Sequence, residues 1–141
     1  MTRGRLALWV AVALLVALLA GWIWGSAGRR AAERLRDEVT FQLEIARARG
    51  HLLEARVAIY NVNFGDAQRH LELAKRPLER AVRTLRDRGR AEEAASVETA
   101  LRQATEAQQL AGKLDQAANT RAAEALRALE GVGGPPEARN P

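Results

Sequence analysis

Few side chains in this chain are equipped for chemistry. Its 141 residues contain no cysteine, which excludes a disulfide scaffold, a thiolate metal site, a cysteine nucleophile and a lipid-modified cysteine anchor. Only two histidines occur, His51 and His70. A metal site needs three or four ligands in a set geometry, and the chain has no pair of histidines four apart on one helix. Both are therefore expected to be surface or half-buried helix residues, with no metal and no cofactor. The serines, Ser26 and Ser96, are not flanked by the glycines of a nucleophile elbow. No glycine-rich phosphate loop appears. Glu92 and Glu93 stand at an expected helix start, where acids favour the helix dipole. This inventory points away from an enzyme and offers no site for a small-molecule substrate.

Arginine is the one abundant charged group that could bind a ligand. Lysine plus arginine number 22 against 17 acids, a net charge of +5, and Lys75 and Lys113 are the only lysines. Arg69, Arg76, Arg83 and Arg90 recur every seven residues, with Arg80 nearby. On one helix they form a basic stripe suited to anionic lipid or a polyanion. Glu72, Glu79 and Asp87 interleave and partly neutralise it. Nucleic acid is not expected as a partner, because no aromatic residues lie between the arginines for base stacking.

The elements that must position these groups are helices. Apolar residues make up 48% of the chain but aromatics only 4%, so the core must be built mainly of Leu, Val and Ala. Helix formers dominate after residue 28 and strand formers are scattered. The fold class is all-α: one N-terminal transmembrane helix, then an antiparallel bundle or short α-solenoid of about four helices.

The anchor covers 6–24, after a tail at 1–5. Leu6 to Trp24 is a run of nineteen uncharged residues that includes Trp9, Leu14, Leu18 and Trp22. At 1.5 Å per residue it spans roughly 28 Å, the hydrocarbon thickness of a bilayer. Trp22 and Trp24 suit the headgroup layer, and arginines flank both ends. Gly25-Ser26-Ala27 resembles a signal-peptide cleavage site, but the apolar run is longer than a signal core and arginines follow it directly. The short N-terminal tail places the remaining chain outside the cytoplasm, against a charge count that leans weakly the other way.

The helical domain covers 28–130, with helices expected at about 28–63, 66–88, 90–114 and 116–130. Asn63-Phe64-Gly65-Asp66 signals a turn with Asp66 as helix cap. Gly89 and the Gly112–Asp115 region mark the next breaks, and Pro77 should kink the second helix. Residues 131–141, GVGGPPEARNP, read as a disordered tail. Small residues in the last two helices bury little area, so the C-terminal half should be the less stable.

The first long helix carries two apolar stripes. Val39, Leu43, Ala46, Gly50, Leu53, Val57, Tyr60 and Phe64 follow the 4,3 spacing of a heptad seam. Phe41, Ile45, Ala48, Leu52, Ala55, Ile59 and Val62 repeat that spacing on nearly the opposite face. The second helix, with Leu71, Leu78 and Leu85 at intervals of seven, can cover one stripe. The other needs a later helix or another chain. Phe41, Ile45, Leu52, Ile59 and Val62 are expected to form a face for a partner protein or a second copy.

The segment GDAQRHLELAKRPL, with Ala55 and Ala58 upstream, resembles the inter-helix turn and second helix of a tetratricopeptide-type repeat. The aromatic–leucine–glycine signature of that repeat is missing, and the turns recur about every 24 residues rather than 34. The whole layout resembles membrane-anchored helical proteins of the bacterial envelope. That layout suggests a single-pass inner-membrane protein, and the two-faced first helix together with the missing catalytic chemistry points to a scaffold or adaptor.

Overall fold

The computed structural model describes the backbone of residues 3–134 and the side chains of residues 9, 12–17, 32–33 and 35–134. Four helices follow one another: α1 (Arg3–Tyr60), α2 (Phe64–Asp87), α3 (Ala91–Gly112) and α4 (Ala117–Ala128). The chain divides into two units, Met1–Val39 and Thr40–Pro141.

The first unit is the N-terminal part of α1. Its described apolar side chains are exposed: Trp9, Val12, Leu14, Leu15, Val16, Leu35 and Val39. Among the described residues, no helix is long and apolar enough to cross a membrane. Leu6, Leu18, Trp22 and Trp24, four of the six residues named for the expected anchor, lie outside the described side chains.

The second unit is a four-helix bundle. Contacts between α1 and α2 run antiparallel: Glu44 meets Arg80, and Glu54 meets His70 nearer the turn. The same holds for α2 and α3, where Arg86 meets Glu98 and Glu72 meets Gln108. α4 then returns to α1, with Arg56 donating to Asn119 and Arg49 to the Leu129 carbonyl. This closure makes the unit a bundle rather than an open solenoid. Leu52, Ile59, Leu71, Leu78 and Leu85 are fully buried between α1 and α2. The other two helices bury mainly alanine, Ala100, Ala104, Ala107 and Ala111 in α3 and Ala118, Ala122 and Ala125 in α4, and they pack against each other. Small side chains let these backbones approach closely.

The three turns close alike. In each, one N–H reaches back five residues and its predecessor reaches back three: Asn63 to Ala58 and Val62 to Ile59, Arg90 to Leu85 and Gly89 to Arg86, Asp115 to Leu110 and Leu114 to Ala111. This motif needs a left-handed residue, and Val62 (φ 59°), Gly89 (φ 70°) and Leu114 (φ 58°) fill it. The expected turn at Asn63–Asp66 is thus shifted a few residues toward the N-terminus, whereas the break expected at Gly112–Asp115 falls there. Gly65 sits in the first turn of α2, and Gly112 ends α3. The cap of α2 is Asn63, whose side chain accepts from the Asp66 N–H, so Asp66 is not the cap. α2 continues through Pro77, which is buried.

Val62 is β-branched, exposed and left-handed, a conformation costing L-residues about 1–2 kcal/mol. Val62→Gly is expected to stabilise the bundle by about 1 kcal/mol, read as a raised thermal midpoint.

Residues 131–134, expected to belong to a disordered tail, are docked on the bundle instead. Val132 is buried, its backbone carbonyl accepts from Arg49, and Gly133 lies against Phe41 and Ile45. One valine suffices to dock the segment, because the glycines around it let the backbone lie close to α1. Residues 135–141 lie outside the described residues.

Candidate functional site

The two stripes of α1 take roles opposite to those expected. Phe41, Ile45, Leu52 and Ile59, proposed as a partner face, are all buried in the bundle's own core. Of that set Val62 alone is exposed, in the turn. The heptad seam is the stripe left outside. Leu43, Leu53, Val57 and Tyr60 are 46%, 51%, 60% and 80% exposed, and Ala46 and Gly50 between them are exposed too. The physical reason is area. Each stripe has two small residues, Ala48 and Ala55 against Ala46 and Gly50. The buried one fills its other core positions with Phe41, Ile45, Leu52 and Ile59, which bury more than Leu43, Leu53 and Val57 would. Phe64, the last seam position, is buried at the start of α2. Phe41 gains further from Arg88 and Arg90, whose guanidinium carbons lie 5.7 and 5.4 Å from its ring centroid.

The arginine stripe is broken up by carboxylates. Arg69 pairs with Asp66 at 2.6 Å, Arg80 with Glu44 at 2.7 Å, and Arg90 grips Glu93 through two nitrogens. The hydrogen bond from Glu44 pushes the Arg80 guanidinium further toward its charged form. Arg76 and Arg83 are exposed. Hydrogen bonds from Lys75 and then Gln108 hold the Glu72 carboxyl below its ordinary value. Such exposed pairs contribute at most about 1 kcal/mol each. The Ser96 hydroxyl donates to the Glu92 carbonyl of its own helix, and the Ser26 side chain lies outside the described residues.

The structure brings together three residues that spacing kept apart. His51 and Glu54 are three apart on one face of α1, and His70 reaches them from α2. Glu54 Oε2 lies 3.1 Å from His51 Nδ1 and 2.9 Å from His70 Nδ1. The imidazole centroids are 5.9 Å apart. Asp66 Oδ2 stands 3.7 Å from the other nitrogen of His70, and Arg69 holds the second oxygen of Asp66. An open groove of about 390 Å³ adjoins this cluster, lined by Leu53, Val57, Asn61 and Asn63 beside Glu54, Asp66 and His70. Little in the sequence signals this cluster: His51 precedes the expected turn at Asn63–Asp66 by 12 residues and His70 follows it by 4, so a hairpin closed there does not bring them level.

An all-α bundle with an exposed heptad seam and one histidine–carboxylate cluster is thus what the geometry defines. Comparison with protein-family models, curated proteins and solved structures finds no match for the chain.

Proposed function

We propose that this chain is a non-enzymatic, membrane-anchored helical module that acts through protein–protein contacts made by the outer seam of α1. The exposed 4,3 array of Leu43, Ala46, Gly50, Leu53, Val57 and Tyr60 carries the reading. Apolar side chains at that spacing mesh with a second helix of the same repeat, knobs into holes. A second copy supplies that repeat in parallel, because a shared N-terminal anchor would align two copies. Val57 and Leu53 then occupy a and d positions, a combination that favours two strands. Ala46 and Gly50 permit close approach.

The anchor is supported by the nineteen uncharged residues from Leu6 to Trp24 and by the outward-facing Trp9, Leu14, Leu15 and Val16, which lipid would cover. In this reading the bundle lies outside the cytoplasm, on a bacterial inner membrane. The alternative reading, anionic lipid or polyanion held by Arg69, Arg76, Arg80, Arg83 and Arg90, draws less support, since Arg69, Arg80 and Arg90 already face carboxylates.

The expected result is a dimer of the full chain in detergent micelles by light scattering. Leu53→Glu with Val57→Glu should give a monomer of unchanged helical circular dichroism. A monomeric wild type, or a double variant of unchanged mass, would overturn the dimer.

A further inference from the structure

We infer that His51, Glu54 and His70 form a binding site for a divalent transition-metal cation of the zinc type, which would fasten α1 to α2. One ligand atom from each lies within 4.8 Å of the other two, and no other such group occurs among the described residues. Tetrahedral ligands about 2.1 Å from zinc stand roughly 3.4 Å from one another. Two of the three separations, 3.1 and 2.9 Å, are already close to that value. The remaining adjustment falls on His51 and Glu54, whose side chains are the more exposed of the three.

The state of His70 argues for a cation rather than a simple hydrogen-bonded triad. Its Nδ1 is buried and makes no hydrogen bond, although a carboxylate oxygen lies only 2.9 Å away. The His51–Glu54 contact, by contrast, is aligned as a hydrogen bond. A buried nitrogen left without an aligned hydrogen bond is one that a bound cation would satisfy. Asp66 faces the far nitrogen of His70 at 3.7 Å and would orient the ring from behind, as outer carboxylates do for metal-bound imidazoles. Helical bundles assemble metal sites in this way, from a histidine and a carboxylate three apart on one helix and a ligand on the facing helix.

The donor set names the class of ion. Two imidazoles and one carboxylate suit zinc and its neighbours, whereas magnesium and calcium prefer all-oxygen shells. Three protein ligands leave a fourth position for water or another ligand. The inference is independent of the seam and its partner.

The test uses the full chain, purified in detergent without a polyhistidine tag and treated with chelator. Zinc should then bind at one equivalent and raise the thermal midpoint, and cobalt should give the visible absorption of a four-coordinate site. His51→Ala and Glu54→Gln each remove a ligand from the exposed side of the cluster and should leave the fold intact by circular dichroism. Each should weaken zinc binding by more than the roughly 10–100-fold that loss of an outer-shell partner costs. His70→Ala should abolish the cobalt spectrum. No saturable zinc binding by the wild type, or equal binding by His51→Ala and Glu54→Gln, would overturn the site.

Discussion

Leu52→Ala is expected to lower the unfolding free energy by about 2–5 kcal/mol, while Leu53→Ala, one residue along, changes it by no more than about 0.5 kcal/mol. The two leucines sit side by side in sequence and on different faces of α1. Leu52 is fully buried against the Leu71, Leu78 and Leu85 row, and Leu53 is half exposed on the seam. Truncating Leu52 removes its burial and leaves a cavity that the alanines around it are too short to fill. Domains of this size are stable by only about 5–15 kcal/mol, so the loss takes a large share. Urea titration of the full chain in mild detergent, followed by helical circular dichroism, should show a lower midpoint with an unchanged slope for Leu52→Ala. Equal effects at both positions would mean that the buried face of α1 has been wrongly placed.

The second large effect is expected on the opposite side of the core. Ala104 is fully buried, in a layer where α3 and α4 meet through alanines. Ala104→Leu adds three carbons where no space waits for them, and overpacking of this kind costs typically about 1–3 kcal/mol. The strain should fall first on α4, which is 12 residues long and buries three alanines of its own. Hydrogen exchange should therefore show α4 amides losing protection in Ala104→Leu while α2 amides keep theirs. Ala104→Ser, which barely changes the volume, should show a much smaller loss.

These expectations mark where the sequence was readable. The α2 core was legible because Leu71, Leu78 and Leu85 recur at seven with Ala74, Ala81 and Val82 beside them, and that stripe has no rival on its helix. α1 has two stripes of identical spacing, so periodicity could not say which turns inward. Side-chain size decides it: both stripes are interrupted by two small residues, but Phe41, Ile45, Leu52 and Ile59 outweigh Leu43, Leu53 and Val57. The first turn was displaced by a few residues because Gly65 was taken as its marker. The left-handed position falls on glycine only at Gly89, and on Val62 and Leu114 elsewhere. Val132 was hidden in a glycine- and proline-rich segment whose composition outweighed one apolar residue. The histidine cluster was missed because its ligands come from two helices, and a search for ligand spacing within one helix cannot see it.

A single-cysteine scan tests the central claim most directly, since the chain has no cysteine of its own. Cysteine is placed in turn at Leu43, Ala46, Gly50, Leu53, Val57 and Tyr60, and at the exposed Arg76, Arg83 and Arg102 of other helices as controls. Each full-length variant is oxidised in native membranes and resolved without reductant. Covalent dimers should form from the seam positions, strongest at Leu53 and Val57, and be absent from the three controls. Dimers that form equally from all positions, or from none of the seam positions, would contradict the assignment of this face to a partner helix.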